Sequence, residues 1–221
     1  MNNDKNVKNK IAGLIEESQN IAVMPSKVAG MDAFGAGVAL YHMLKELDKD
    51  VSFIYPGKTP EKAENLIKPE DITKDVKSRS LLVSIDYSDT DATKVNYSTD
   101  NDVLYLTINP IPDDFDKNTK IKSRITGFDF DIIFVVGAQN VSDLGSTFRN
   151  LDSASKTSKI INVDNTEINE RFGFVNIVDN SVNSVSQLVM EKVSDWELNI
   201  NQKAAKALLE GIIAREGPNV G

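Results

Sequence analysis

A run of apolar residues at 160–163 (IINV) ends at Asp164, and polar residues follow at once. Strands that are buried on both faces of a parallel sheet have nearly continuous apolar sequences of this kind. An acidic residue after such a strand lies at the carboxyl edge of the sheet, where open α/β sheets bind their ligands. The stretch therefore predicts a buried parallel strand and a candidate functional position at Asp164.

Similar apolar runs recur along the chain and alternate with helical patterns. Residues 20–24 (NIAVM) and 51–55 (VSFIY) flank a helical pattern at 33–47, which predicts a parallel strand pair with a right-handed crossover. The other predicted elements are buried strands at 131–136 and 174–178 and helices at 5–19, 182–196 and 201–215. This alternation predicts a doubly wound α/β fold, a mainly parallel sheet with helices on both faces.

One region interrupts the pattern. Residues 81–86 and 103–108 are rich in β-forming residues, and a polar segment rich in Asp and Thr joins them. We interpret residues 80–108 as an inserted antiparallel β-hairpin. With this insertion included, we expect residues 1–221 to form a single α/β domain.

Two glycines early in the second predicted helix begin like a dinucleotide-binding fingerprint. The third glycine of that fingerprint is replaced by Leu40, and the motif lies inside the helix rather than in the turn before it. We interpret Gly35 and Gly37 as positions where the helix packs closely on the sheet.

The composition excludes several classes of function. The formal net charge is −8 and the basic residues are scattered, whereas binding an extended nucleic acid usually requires a basic stripe. The chain has no cysteine, so disulfides, thiolate metal sites and cysteine nucleophiles are absent. No segment is apolar enough to span a bilayer, and the N-terminus has no signal-peptide core, so we expect a cytoplasmic protein.

The single histidine, His42, lies in the helical pattern at 33–47. We interpret it as a partly exposed helix residue. One histidine cannot build a multi-histidine metal site, and a Ser-His-Asp triad would have to use this residue.

Five strings along the chain resemble motifs of the DHH phosphoesterase superfamily, and they occur in the family's order and spacing. The family motifs are DxDAxGS, INIDHHxxN, xFGxINxVD, SSTxE and LxxGIxxDT. They match, in that order, residues 30–36, 160–169, 171–179, 183–187 and 208–216. The resemblance is to the N-terminal domain of RecJ-like nucleases and nanoRNA hydrolases, and it implies the α/β fold predicted above.

In this family, aspartates and histidines hold two manganese ions, which generate a hydroxide and clamp the phosphate under attack. The resemblance implies that this chain lacks most of those ligands. The positions expected to carry the histidine and first aspartate of the first motif are Ser26 and Gly30, and only the second aspartate survives, as Asp32. Asp86 also ends a β-rich run, but it lies in the predicted insertion.

The later motifs depart in the same way. The aspartate of the second metal-binding motif is replaced by Gly137, and the DHH triplet itself reads Asp164-Asn165-Thr166. The last aspartate is replaced by Arg215. Asp32 and Asp164 alone cannot hold two divalent ions against their hydration shells, so we expect no metal site. The family's second, substrate-binding domain has no counterpart here: either the protein lacks it or the chain ends before it.

Two residual binding features are predicted. The backbone N–H groups at the start of the second helix, near Met31 and Ala33, form a generic anion site together with Ser26 and Lys27. The alternative is an ordinary capped helix in which Asp32 interacts with the helix dipole. Separately, the Arg215 guanidinium is expected to pair with Asp32 or Asp164 in place of a metal ion, or else to extend into solvent.

Three functional hypotheses follow. The first is a non-catalytic DHH-like domain that acts as a binding or interaction module. The second is a phosphoesterase for short oligonucleotides or nucleotides that uses manganese or magnesium in an altered site with Asp32, Asp86 and Asp164. The third is a metal-independent binder of a small phosphate compound. The partner is thus a protein or a small phosphate-containing ligand, and neither a membrane nor extended nucleic acid is expected.

Overall fold

The computed structural model describes residues 2–74, 80–88, 94–126, 130–147 and 158–216. It divides into two compact units. The first unit comprises residues 1–78 and 127–221, and the second comprises residues 79–126. The predicted antiparallel insertion thus forms a unit of its own, and it extends further along the chain than residue 108.

The described strands are β1 (Asn20–Pro25), β2 (Asp50–Ile54), β3 (Ile72–Thr73), β4 (Ser80–Ile85), β5 (Lys94–Asp100), β6 (Val103–Asn109), β7 (Ile121–Thr126), β8 (Ile132–Val136), β9 (Lys159–Asp164) and β10 (Val175–Val178). Six of them form one sheet in the order β10-β9-β8-β1-β2-β3, and every neighbouring pair is parallel. The predicted parallel α/β sheet is confirmed. The short edge strand β3 was not predicted.

The described α-helices are α1 (Asn2–Glu17), α2 (Gly30–Lys45), α3 (Lys117–Lys120), α4 (Val185–Lys192) and α5 (Gln202–Glu216). Short 3₁₀ segments cover Glu61–Ala63, Pro69–Asp71, Val141–Thr147 and Val193–Trp196. The predicted helix at 182–196 is therefore an α-helix followed by a 3₁₀ turn.

Alternate side chains of the central strands bury two apolar clusters, one on each face of the sheet. Ile21 and Val23 of β1 belong to the larger cluster, which also contains the buried side chains of α1, α2, α4 and α5. Ala22 and Met24 belong to the smaller cluster, which Leu144 of the Val141–Thr147 segment helps to cover. Since both faces are covered, the strands have the nearly continuous apolar sequences on which the prediction was based.

Helix α2 lies in the larger cluster and packs closely on two neighbours. A Cβ at Gly35 would lie 2.5 Å from the carbonyl oxygen of Ala207 in α5. A Cβ at Gly37 would lie 3.1 Å from Pro25 and 3.3 Å from Phe53, both in the sheet. The interpretation of these glycines as packing positions is confirmed. In addition, Gly35 allows close contact between α2 and α5.

The second unit contains two separate two-stranded antiparallel sheets. Strand β4 pairs with β7, and β5 pairs with β6. The prediction of an antiparallel insertion is confirmed, but the hairpin consists of β5 and β6. Strand β4 finds its partner only at β7, which sequence pattern alone did not indicate.

His42 is half-buried in α2, as predicted, and its Nε2 lies 2.8 Å from the carbonyl oxygen of Leu66. A carbonyl can only accept, so Nε2 carries the proton. Within the described residues, no helix is long and apolar enough to cross a membrane.

The close contact at Gly35 leads to a first prediction. We expect Gly35→Ala to destabilise the protein by about 1–3 kcal/mol, because a backbone carbonyl cannot move aside for the new methyl group. The matched control is Gly13→Ala in α1, where a Cβ would meet nothing within 4 Å. That change should stabilise the protein by about 0.5–1 kcal/mol, because glycine is a poor helix former. Urea unfolding followed by circular dichroism measures both, and equal effects would contradict the packing interpretation.

Candidate functional site

The order of the strands locates the candidate site. The chain builds the sheet outwards from β1 through β2 to β3, and later from β8 through β9 to β10, so the direction of building reverses between β1 and β8. Open α/β sheets bind ligands at the carboxyl ends of the strands at such a switch point. Ser26, Gly137 and Asp164 all lie at this edge, directly after or at the ends of β1, β8 and β9.

Asp32 lies in the first turn of α2, and its side chain is 6% exposed. Its Oδ2 accepts a hydrogen bond from the backbone N–H of Val185, and its Oδ1 accepts one from the N–H of Ser186, each at 2.9 Å. The Ser186 hydroxyl in turn donates to the backbone carbonyl of Asp32 at 2.9 Å. Asp32 therefore caps α4. This role was not predicted, because the sequence indicated only an interaction of Asp32 with the dipole of its own helix, α2.

The environment of Asp32 has opposing effects on its ionisation. Burial raises the pKa of the Asp32 carboxyl above its usual range, and the hydrogen bonds from Ser186 and Val185 together with the charge of Arg215 offset part of that rise. The first turn of α4 directs the positive end of the helix dipole at the same group. Donors of the protein thus stabilise the carboxylate, but burial has the larger effect on its pKa.

Residues 179–186, which comprise the segment after β10 and the first two residues of α4, contact four of the predicted site positions. Besides the two bonds to Asp32, Asp179 donates its N–H to the backbone carbonyl of Asp164 at 3.2 Å. The Asn165 amide donates to the carbonyl of Val182 at 3.1 Å. Nε of Arg215 donates to the carbonyl of Asn183 at 3.4 Å. This segment, which we call the hub segment, brings the four positions into one neighbourhood.

Asp164 ends β9 and is 1% exposed. Its Oδ2 accepts hydrogen bonds from the Thr166 hydroxyl and from the Asn169 amide, the latter at 2.8 Å. Thr166 occupies the last position of the Asp164-Asn165-Thr166 triplet. The Thr166 hydroxyl is thus a hydrogen-bond donor to the neighbouring carboxylate.

Three asparagines that were not predicted as site residues form a hydrogen-bonded chain that begins at Asp164. Asn169 also donates to the Ala138 carbonyl at 2.8 Å and accepts from the Asn162 amide at 2.7 Å. Asn162 further donates to Asn176 at 3.4 Å. The sequence held one signal for them: Asn162 interrupts an apolar strand, and buried polar side chains require partners.

Gly137 follows β8 with a φ of 69°. A Cβ at this position would lie 2.7 Å from Cβ of Ala33 and 3.1 Å from Cβ of Ala29. The start of α2 therefore lies directly against the position where the family resemblance expects an aspartate. A side chain here would be strained by the backbone conformation and would also collide with α2.

The predicted anion site lies at the start of α2. Gly30 begins the helix with a φ of 63°, and Ala29 before it supplies no side-chain cap. Ser26 is fully buried, and its Oγ accepts a hydrogen bond from the N–H of Val28 at 3.1 Å. Lys27 is exposed, and Met31 is half-buried. The residues are near one another in the fold, and anion binding stays a prediction.

Arg215 is exposed near the end of α5. Apart from its bond to Asn183, its charge acts on Asp32 only as an electrostatic influence on the pKa. In the described part of the chain it makes no direct ion pair with Asp32 or Asp164, and its exposure agrees with the alternative expectation that it extends into solvent. Asp86 belongs to the second unit, where it accepts hydrogen bonds from the N–H and hydroxyl of Ser88.

These side chains do not fit a pair of divalent ions. Both oxygens of Asp32 already accept backbone N–H groups, and Oδ2 of Asp164 already accepts two side-chain donors. Over the described ranges, no group of three or more His, Cys, Asp or Glu side chains is arranged to hold a metal ion. The arrangement supplies donors to the buried carboxylates of Asp32 and Asp164 and joins α2, α4 and the strand ends.

Comparisons with known proteins agree with the fold. No family profile matches the sequence, and neither does any curated protein. Among solved structures, the chain is similar to an exopolyphosphatase-related protein from Bacteroides fragilis, with a TM-score of 0.61 and 16% sequence identity. The match covers 97% of this chain and 51% of the other, so this chain spans about half the length of that neighbour. The chain therefore has a phosphoesterase-like fold.

The cap at α4 gives a second prediction. We expect Asp32→Ala to destabilise the protein, because the buried N–H groups of Val185 and Ser186 would each lose their acceptor at a cost of about 1–3 kcal/mol. Asp71→Ala is the control, because that side chain is exposed. Urea unfolding at pH 7 measures both, and an Asp32→Ala variant as stable as the control would show that the cap contributes nothing.

Proposed function

We propose that this chain is a DHH phosphoesterase-like domain whose two-metal site has become a hydrogen-bonded structural junction, and that it acts as a non-catalytic binding or interaction module. The observation that carries the proposal is the double hydrogen bond from the first turn of α4 to Asp32. This aspartate is the surviving ligand of the first family motif. In the protein both of its oxygens are directed at backbone donors.

A metal ion could reach each oxygen of Asp32 only along the lone pair that the backbone donor leaves free. The N–H groups of Val185 and Ser186 are buried and have this carboxylate as their acceptor, so α4 sets its orientation. A metal ion that needed another orientation would leave those N–H groups without partners, at a cost in protein stability. This constraint supports the proposal in addition to the missing ligands.

Asp164 and Gly137 add independent support. Asp164 is held by Thr166 and Asn169, so its orientation is set by the protein. The position of Gly137 faces Ala33 at a distance that leaves no room for a carboxylate. Three of the positions that a two-metal site would need are thus occupied by hydrogen bonds or packing.

The similarity to an exopolyphosphatase-related protein supports a phosphoesterase-like fold. The DHH assignment itself is proposed from the sequence motifs. The five motif-like strings extend across the same span of the chain. Fold does not carry function, and chemistry resides in the site. We therefore propose the family relationship and propose that its chemistry has been lost.

The alternative, a manganese- or magnesium-dependent phosphoesterase, predicts the opposite outcome in a direct assay. We expect no turnover above the buffer background when the purified chain is incubated with manganese and either a generic phosphodiester or a short oligonucleotide. We also expect no rise in melting temperature with manganese, because a ligand that binds only the native state must raise it. Product release and differential scanning fluorimetry are the measurements.

The control variant is Asp164→Asn, which keeps an oxygen acceptor for Thr166 and Asn169 and should fold. Turnover by the wild-type chain that disappears in Asp164→Asn would overturn the proposal, as would a manganese-dependent rise in melting temperature that this variant loses. Activity that is equal in both proteins would indicate a contaminating enzyme, and the wild-type chain would then still count as inactive.

A further inference from the structure

The hairpin of the second unit presents an unusual surface. The residues of β5 and β6 are exposed, apart from the half-buried Ile108. Across the pair, Val95 lies opposite Ile108, Tyr97 opposite Leu106, and Thr99 opposite Leu104. Because opposed residues share a face, these side chains make one face of the hairpin apolar. Tyr97 at its centre is 79% exposed.

The free edge of β5 is the second part of this surface. The sheet contains only β5 and β6 among the described strands, so β5 has a neighbour on one side. An edge strand presents a row of unpaired N–H and C=O groups that can pair with another strand. Proteins usually protect such an edge with a proline or a bulge, and the sequence of β5, Lys-Val-Asn-Tyr-Ser-Thr-Asp, contains no proline.

The turn fixes which residues present those groups outwards. Asn101 and Asp102 form a two-residue loop, with φ values of 46° and 63°. Positive φ at both positions is the type I′ pattern, in which the carbonyl of the residue before the turn bonds the N–H of the residue after it. Asp100 is therefore bonded inwards to Val103. By alternation, Thr99, Tyr97 and Val95 direct their N–H and C=O groups to the free edge.

The charges of β5 are arranged as mirror images about Tyr97. Lys94 lies three residues before Tyr97, and Asp100 lies three residues after it. If two copies of β5 pair antiparallel about a two-fold axis at Tyr97, each Lys94 lies opposite the Asp100 of the other copy. In the same register Asn96 lies opposite Ser98, and Val95 lies opposite Thr99. Neither Lys94 nor Asp100 has an ion-pair partner in the described residues.

We propose that the free edge of β5 is a homodimerisation surface, and that its occupant is β5 of a second copy of this chain. The pairing produces a four-stranded antiparallel sheet in the order β6-β5-β5-β6. The two-fold register requires outward N–H and C=O groups at Tyr97, Val95 and Thr99, and these are the residues that the turn directs outwards. The alternation of outward hydrogen-bonding groups, the positions of the two charges and the apolar face are thus all consistent with one register.

This proposal concerns the second unit and does not depend on whether the Asp32 junction is catalytic. The contact is a single strand of seven residues, about 23 Å long at 3.3 Å per residue. Interfaces of this size are at the low end of specific protein contacts. We therefore expect a dimer whose population depends on protein concentration.

The first test uses charge reversal. We expect the wild-type chain to dimerise in sedimentation velocity between about 1 µM and 1 mM, the range of weak specific complexes. Lys94→Asp and Asp100→Lys should each weaken the dimer at least about tenfold, since cross-strand attraction becomes repulsion on both sides of the axis. The double variant Lys94→Asp with Asp100→Lys should restore dimerisation, because the two charges merely exchange places.

Folding is not at risk in these variants. Within one copy, Lys94 lies opposite Asn109 and Asp100 lies opposite Val103, so no charge meets a like charge. Far-ultraviolet circular dichroism checks that each variant is folded. Lys122→Asp, on β7 in the other two-stranded sheet, is the matched control and should dimerise as the wild type does. A monomeric wild type at 1 mM, or a double variant as weak as the single ones, would overturn the proposal.

The second test reads the register directly, and it is possible because the chain has no cysteine. In the proposed pairing, Asn96 and Ser98 of the two copies form a non-hydrogen-bonded pair with Cα atoms about 4.5 Å apart. A mixture of Asn96→Cys and Ser98→Cys chains should therefore form disulfide-linked dimers on oxidation. Each variant alone places its cysteines on a diagonal, about 7–8 Å apart, beyond ordinary disulfide reach.

Non-reducing electrophoresis of the oxidised samples measures the linked fraction. Cross-linking confined to the mixture supports edge pairing at Tyr97. Equal cross-linking in the single variants would overturn this register. If neither charge-reversal variant weakened the dimer, the β5 edge would be excluded as the interface, and another surface, such as the two apolar faces stacked on each other, would have to form it.

Discussion

The two hydrogen bonds from the first turn of α4 to Asp32 are the interaction on which the arrangement of the helices depends. They join residues about 150 positions apart in the chain and tie α2 to α4 at the carboxyl edge of the sheet. Helix α5 is held in the same junction, because Gly35 of α2 packs on the Ala207 carbonyl and Gly211 leaves space for the Ser186 side chain. A buried carboxylate at this point must have donors, and the helix N-terminus supplies them.

The two buried carboxylates, Asp32 and Asp164, meet the same physical requirement in different ways. Carboxylates buried at the end of a sheet need positive partners, whether these are metal ions or N–H groups. Here Asp32 has the donors of α4, and Asp164 has Thr166 and Asn169. The hub segment at residues 179–186 makes backbone contacts to four site positions and so joins them in one place.

The sequence predicted much of the fold correctly. The apolar runs gave five of the six strands of the parallel sheet, because strands buried on both faces need continuous apolar side chains. Strand β3, only two residues long, was missed, since so short a strand has no period to detect. The pairing of β4 with β7 was missed because the paired residues lie between 36 (Ile85 and Ile121) and 46 (Ser80 and Thr126) positions apart, and local sequence pattern does not report such a contact.

Prediction of the site was more uneven. Asp32, Asp164 and the substituted positions around them were found from the motif resemblance, and the hub segment brings Asp32, Asp164, Asn165 and Arg215 together. The role of Asn169 was missed, and the expected ion pair of Arg215 is not formed. Side-chain partners of this kind depend on the direction in which each Cβ points in the fold, which spacing along the chain does not specify.

The sequence by itself determined the type of fold and the identity of the residues at each motif position, because apolar periodicity and residue chemistry are local properties. The tertiary structure alone decided that Asp32 caps a helix 150 residues away, that α2 closes the space beside Gly137, and that the edge of β5 is free. Those outcomes depend on which distant segments meet, and the free energy that selects them comes from burying the whole core at once.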